Sequence, residues 1–260
     1  MTEDTTRAAS LADLVAQQFG PQASAYVASP VHAQGPDLAA LAALLERERP
    51  GRLLDLGCGG GHVSFTAAPF VAEAVAYDLS GAMLAAVAEE ATRRGLGNVA
   101  TARGVAEALP FADGSFDAVA SRYSAHHWRS LHGGLSEARR VLKAGGRAVF
   151  MDVAAPVWPV ADTFLQAVEL LRDPSHGRDF SRPEWEAHLA AAGFVVEETR
   201  EHRLRLEFSS WVARIRTSAL HADAIRSLQQ GASAEVARHF EIEPDGSFTV
   251  DTLSLVARAA

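Results

Sequence analysis

The sequence predicts an α/β fold, a mostly parallel sheet with helices on both faces. Three observations predict it. From Arg52 onward, short apolar runs alternate with stretches of helical periodicity, which is the pattern of a sheet wound with helices. The first apolar run, Leu53-Leu54-Asp55-Leu56, ends in a glycine-rich turn, Gly57-Cys58-Gly59-Gly60-Gly61-His62. The second run, Ala74-Val75-Ala76-Tyr77, ends in Asp78, about 20 residues further on. Glycines between a strand and a helix let the backbone take positive φ and approach a ligand closely. An acidic residue at the next strand tip can accept hydrogen bonds from both hydroxyls of a ribose. The three features together describe a pocket for a nucleoside-bearing cofactor.

The elements follow in order. Ser10 is placed to cap a helix that starts at Leu11, with Leu14, Val15 and Phe19 at helical spacing, and Gly20-Pro21 stops it. A short helix is expected over residues 23–27, and a clearer one from Asp37 through Leu45, with Leu38, Leu41, Leu44 and Leu45 on one face. Residues 1–50 thus read as an N-terminal helical lid and 51–260 as the main domain. Strand one is 52–56, its helix 62–70, and strand two 74–78. A helix from Met83 to Arg94 is capped by Ser80 and ended by Gly95. Strand three is 99–103 and strand four 118–121. A helix over 133–142 leads through Ala144-Gly145-Gly146 into strand five, 147–152. No element is assigned between 153 and 182. A helix over 183–192 precedes a strand from Phe194 to about Phe208, a helical insertion at 209–239, and a last strand over 247–257.

Composition narrows the function. Hydrophobic residues make up 48% of the 260, enough for a sizeable core. A net charge of −8 argues against nucleic acid as the main partner. The single cysteine, Cys58, excludes an internal disulfide and suits a reducing cytoplasm. No run reaches the ~20 apolar residues of a membrane span, and the polar start does not read as a secretory signal. The expectation is a cytoplasmic monomer or homodimer that acts on a small molecule.

The dinucleotide fingerprint G-x-G-x-x-G fails here, because His62 stands at its third glycine. The order is instead D-x-G-x-G-x-G, with Asp55, Gly57, Gly59 and Gly61. Together with Asp78, this resembles the first motif of class I S-adenosylmethionine (SAM) methyltransferases. The segment Arg103-Gly104-Val105-Ala106-Glu107-Ala108-Leu109-Pro110-Phe111 resembles the adenine-facing loop of the small-molecule branch, the ubiquinone/menaquinone-type (type 11) methyltransferases. The resemblance implies a Rossmann-like seven-stranded sheet, mostly parallel with an antiparallel last strand, and SAM as cofactor with S-adenosylhomocysteine as product. It implies cofactor contacts at Asp55, Gly57, Gly59, Gly61, Asp78, Leu79, Val105, Ala106 and Glu107. That branch often has an acidic residue where Val105 stands, so adenine recognition here falls to the backbone of Val105 and Ala106. Glu107 is either a cofactor contact or a structural hydrogen bond to its loop.

Ser121-Arg122-Tyr123-Ser124-Ala125-His126-His127-Trp128 lies just past strand four, where open α/β sheets bind ligands. Arg122 would lie beside the methionine portion of the cofactor. His126 and His127 are candidate general bases for an acceptor O–H or N–H, although one of them could only brace the loop. Trp128 is a candidate for substrate recognition or for packing. Tyr26 and His32 are the lid candidates, since the resemblance implies an aromatic from this region over cofactor or substrate; the alternative is a helix-packing aromatic and a surface histidine. Trp185, Phe194 and Trp211 read as core or cap-packing residues, while the resemblance allows a substrate role for Trp211 or Arg214, because the insertion before the last strand lies near the active-site side in similar enzymes. No metal is expected, since adjacent histidines do not converge easily on one ion. The reading is methyl transfer to a small cyclic or aromatic metabolite, on O, N or C. Its alternatives are an NAD-dependent oxidoreductase and a non-catalytic SAM-binding protein.

Overall fold

A computed structural model describes residues 10–27 and 34–260, the side chains of Ser24 and Ala25 aside. Helix α1 (Leu11–Phe19) begins at a capping box in which Ser10 and Asp13 exchange hydrogen bonds. A 3₁₀ turn leads to α2 (Ala23–Val27), and α3 (Pro36–Glu48) follows. The wound region then runs β1 (Arg52–Leu56), α4 (His62–Ala67), β2 (Glu73–Asp78), α5 (Gly81–Arg93), β3 (Val99–Arg103), β4 (Phe116–Arg122), α6 (Leu131–Val141) and β5 (Leu142–Ala154). After it come α7 (Pro159–Arg172), α8 (Arg182–Ala191), β6 (Phe194–Leu206), α9 (Phe208–Arg214), α10 (Ala219–Gln230), α11 (Ala234–His239) and β7 (Phe248–Ala259).

The strands form one seven-stranded sheet in the order β3-β2-β1-β4-β5-β7-β6. Strands β1 to β5 pair in parallel, and β7 runs antiparallel between β5 and β6. The mixed sheet with one reversed strand is the one expected. The chain order reverses between β1 and β4, so the carboxyl ends of these strands border a crevice where ligands bind in such sheets.

Side-chain alternation along β1 explains the two-faced core. Leu53 packs on one face with Leu41, Leu45 and Val63, while Leu54 and Leu56 pack on the other with Leu135, Phe150 and Trp185. All three leucines are fully buried, each worth about 1.5–3 kcal/mol relative to exposure. A third apolar cluster joins α7, α10 and α11 to Phe248 and Val250 at one end of the β6–β7 ribbon. Trp185, Phe194 and Trp211 are buried, as core residues should be.

Several elements differ from the sequence expectation. Helix α7 occupies part of the stretch where none was assigned. The helix expected over 62–70 stops at Ala67 and continues as a 3₁₀ turn, since Pro69 supplies no N–H for the ladder. The stretch 209–239 is three helices, with Ser218 and Ser233 each capping a new start. Strand β5 begins at Leu142 and carries an irregularity opposite residues 116–118 that absorbs the expected turn. The register of β6 shifts between Val196 and Glu198, which is a bulge and gives the strand its bend.

Candidate active site

Two cavities, of about 320 and 300 Å³, lie side by side at the carboxyl ends of β1 and β4. Phe19, Tyr26, Gly57, Gly59, Tyr123 and His127 line both. The first cavity continues along Asp78, Leu79, Val105, Ala106, Glu107 and Trp128. The second continues along Asp55, Arg122 and His126 to residues of α7, α9 and the loop after α7.

The turn after β1 is shaped for close approach. Gly57 has φ +73°, and a Cβ there would lie 1.8 Å from Ser124 Oγ. Gly59 has φ +47°, and a Cβ there would meet no protein atom within 4 Å, so its backbone faces cavity space. Gly61 also takes positive φ and packs on Val87. The N–H groups of Gly57 and Cys58 both donate to the Tyr77 carbonyl, which ties the turn to β2. Asp78 accepts from Gly59 N at 2.9 Å and Ser80 N at 2.8 Å. Two carboxylate oxygens have lone pairs to spare beyond these bonds, so Asp78 keeps acceptors for a diol in the first cavity. Asp55 is buried and accepts from the N–H and hydroxyl of Ser64, binding β1 to α4. Burial, only partly offset by those bonds, raises its carboxyl to about 7.

The loop after β3 is committed in part to the fold. The Val105 carbonyl accepts from the Tyr77 hydroxyl and from Ala108 N. Glu107 accepts from Ser130 N at 3.0 Å, so the structural bond is made, while the residue also borders the first cavity. Leu79 borders that cavity too, and its carbonyl accepts from Arg103. The Trp128 indole donates to Ser124 Oγ, and its ring lies on Gly134, where any Cβ would collide with it. Trp128 therefore borders the first cavity and not the second. Arg122 lines the second cavity with its guanidinium paired to Asp37 of α3. The Tyr26 ring stands edge-on to Phe19, and its carbonyl meets His62 Nε2 at 2.9 Å. His32 lies outside the described residues.

The two histidines differ sharply. His126 Nδ1 donates to Asp152 Oδ1 at 2.6 Å, with Asp179 Oδ1 at 4.0 Å. Asp152 is itself fixed by the N–H groups of Ala125 and Val153. Burial alone would lower the His126 pKa, but the charge and hydrogen bond of Asp152, then Asp179 and Glu169, override it and raise it to about 9. His127 Nδ1 instead meets the Ser175 carbonyl at 3.0 Å. A carbonyl only accepts, so the proton sits on Nδ1 and Nε2 keeps its lone pair. Burial, and next the charge on His126, lower His127 to about 4. Neighbours pushed apart in this way are set for different states: His127 is held neutral and His126 as a cation beside Asp152. Phe19 of α1 stacks edge-on against His127 with centroids 5.1 Å apart.

Sequence reasoning missed the other wall of the second cavity, Glu169, Arg172, Asp173, His176 and Asp179, and also Asp152, which holds His126. A signal for some of it was present. Asp162, Gln166, Glu169 and Asp173 recur at helical spacing, a polar stripe beside the buried Ala161, Leu165 and Val168. The loop after α7 is stitched to the histidine turn by Gly177 N and Arg178 N, which both donate to the His126 carbonyl. His126 Nδ1 and one oxygen each of Asp152 and Asp179 lie within 4.8 Å of one another. This trio has donor atoms suited to a cation, and His126 and Asp152 within it share a hydrogen bond of 2.6 Å.

Comparison with known proteins bears on this geometry. Residues 54–150 match the family described as "Methyltransferase domain". The Escherichia coli K12 protein YafE, itself uncharacterised, is 48% identical over 78% of this chain and 99% of its own length. YcgJ of Bacillus subtilis 168, described as an uncharacterised methyltransferase, is 36% identical over 77% of this chain and 79% of its own. The crystal structure of a B. subtilis YcgJ protein superposes with a TM-score of 0.82, at 32% identity, over 85% of this chain and 97% of that one. A Sinorhizobium fredii UbiE, a ubiquinone/menaquinone biosynthesis C-methyltransferase, is 32% identical over 62% of each chain. Among the described residues no helix is long and apolar enough to cross a membrane. With a glycine turn facing open cavity, an acidic residue at the tip of β2 and relatives of this kind, the chain belongs to the class I SAM-dependent methyltransferases, in the branch similar to the ubiquinone/menaquinone-type enzymes.

Proposed function

We propose that the protein methylates a small cyclic or aromatic acceptor bound in the second cavity, with His127 as its general base. The observation that carries this reading is the position of His127. It stands on the wall common to both cavities, with an unprotonated Nε2 fixed by the bond from Nδ1 to Ser175.

In the first cavity Asp78 would hold the ribose hydroxyls, the backbone of Val105 and Ala106 would meet the adenine, and Gly57 and Gly59 would pack against the methionine portion. SAM supplies an electrophilic methyl whose transfer leaves a neutral thioether, so no acid is needed for the leaving group. The protein's task is alignment and exclusion of water. Phe19 and Tyr26, which line both cavities, suit α1 and α2 to act as a lid. For an O–H or N–H acceptor, the proton passes to His127 Nε2 as the new bond to carbon forms. The His126 imidazolium, held by Asp152, would donate to an oxygen of the acceptor.

The test has two stages. Calorimetry with SAM and with NAD should show binding of SAM alone. A metabolite screen that follows S-adenosylhomocysteine release should then give turnover that His127→Ala abolishes while SAM affinity is kept. Wild-type turnover in His127→Ala would remove it as the base.

A further inference from the structure

The wall of the second cavity built by α7 and α9 carries two arginines in unlike states. The Arg172 Nε donates to the Trp211 carbonyl at 3.1 Å, its guanidinium lies 4.8 Å from the centre of the Trp211 ring, and Glu169 Oε2 is 3.5 Å from Nη1. Arg172 is therefore fixed and has a counter-charge. Arg214, half-buried on the same wall, has neither an ion-pair nor a hydrogen-bond partner among the described residues. Burial and then the charge of Arg172 lower its pKa, outweighing the opposing charge of Glu169. A guanidinium withdrawn from water and left unpaired is costly, and an anion that reaches it recovers that cost.

Of the other carboxylates that line this cavity, Asp55 accepts from Ser64 and Glu207 caps α9, while Asp179 lies 4.0 Å from His126 and 3.8 Å from His176 with its Oδ2 making no hydrogen bond among the described residues. Glu169 faces Arg172, and Asp173 Oδ1 accepts from the N–H and hydroxyl of Ser175. Apolar residues also line this cavity, among them Val153, Leu204, Trp211 and Val250. A matching ligand has an apolar body, a polar atom for His126 and His127, and an anionic group for the arginines.

We propose that Arg214, backed by Arg172, is the seat for a carboxylate on the methyl acceptor, so the acceptor is a hydroxylated or amino-substituted cyclic acid. Arg214 is a specificity-determining residue for the reaction, and the assignment rests on the reading of the second cavity as the acceptor site. A carboxylate could also come from the methionine end of SAM, since the glycine turn borders this cavity. A guanidinium binds a planar carboxylate through two parallel hydrogen bonds, and lysine offers only a point charge.

The experiment follows S-adenosylhomocysteine release by the full chain over hydroxylated and amino-substituted aromatic and alicyclic carboxylic acids, each paired with its methyl ester. Wild type, Arg214→Gln and Arg214→Lys are compared, with SAM affinity measured by calorimetry for each. The expected result is that wild type prefers acids over esters by about tenfold or more in kcat/KM. Arg214→Gln brings that ratio to about one by raising KM for the acids, with kcat and SAM affinity within about twofold, and Arg214→Lys keeps part of the preference. Equal use of acids and esters by wild type overturns the assignment. So does a preference that survives Arg214→Gln, or a tenfold loss of SAM affinity in that variant, which would give the arginine to the cofactor. Where no pair is turned over, the acids are titrated by tryptophan fluorescence with S-adenosylhomocysteine present, and absence of binding overturns it as well. Failure of SAM to bind, or release of product without any acceptor dependence, would instead strike the proposed reaction.

Discussion

The two cavities share a rim yet are built in opposite ways. The first, beyond the lid helices, draws on strand ends and turns between Leu56 and Arg129, a continuous stretch of chain. The second gathers α7, the loop after it, α9 and both long antiparallel strands onto the same histidine turn. In a parallel sheet each strand points the same way, so consecutive carboxyl ends meet at one rim and local motifs suffice to build a site. The antiparallel end has no such rule. There, side chains meet because loops are stitched together by tertiary hydrogen bonds, such as those from Gly177 and Arg178 to His126. A site of the first kind can be shared widely among relatives, while one of the second kind is free to differ with the acceptor.

The sharpest way to separate the cavities is His127→Ala. It should lower kcat by about 10²–10⁴-fold, the usual contribution of a general base, while SAM affinity measured by calorimetry stays within about twofold. A parallel loss of SAM affinity would show that the two cavities are not separable at this residue. Gly57→Ala attacks the shared rim. It puts a side chain at positive φ and against Ser124, and should cost about 3 kcal/mol of stability in urea unfolding, with SAM binding lost. Unchanged stability would contradict the close approach of the turn to Ser124. Asp78→Ala tests the first cavity by itself, and the Kd for SAM should rise about 10- to 100-fold as charge-assisted bonds to the ribose are lost. A change below twofold would take the ribose away from Asp78.

The smallest effect is read through pH. His126 stands at about 9 in the folded chain, against an ordinary 6.5. Its folded value is raised, so the stabilisation from the imidazolium is complete below pH 6.5 and is lost as pH rises through 9. The stability gap between wild type and His126→Gln should therefore narrow over that window by at most about 3 kcal/mol. A gap that widens with pH would show that His126 is neutral when folded. His127 moves the other way and should stay unprotonated down to about pH 4.

Much of the first cavity was legible in residue order. The turn from Gly57 to Gly61, Asp78 at the tip of β2 and the loop at Val105 to Glu107 each stand where the strand rhythm placed them. What was not legible was their division of labour. The Val105 carbonyl is taken by Tyr77, Glu107 supports Ser130, and Arg122 is bound to Asp37 of α3. The second cavity was visible only at its histidines. Its partners were hidden because a polar stripe on a helix reads as a solvated face until the fold shows Glu169 and Asp173 turned inward.

Residue order alone determined the wound sheet and the nucleoside pocket, because these depend on periodicity and on glycines that no other residue replaces without strain, while the reversed strand and the cofactor class came from the resemblance of the glycine motif to the class I methyltransferases. Tertiary structure alone decided which histidine keeps a lone pair. Asp152 and the Ser175 carbonyl lie in separate segments of the chain, and a buried imidazole takes its charge from the neighbours that folding brings to it.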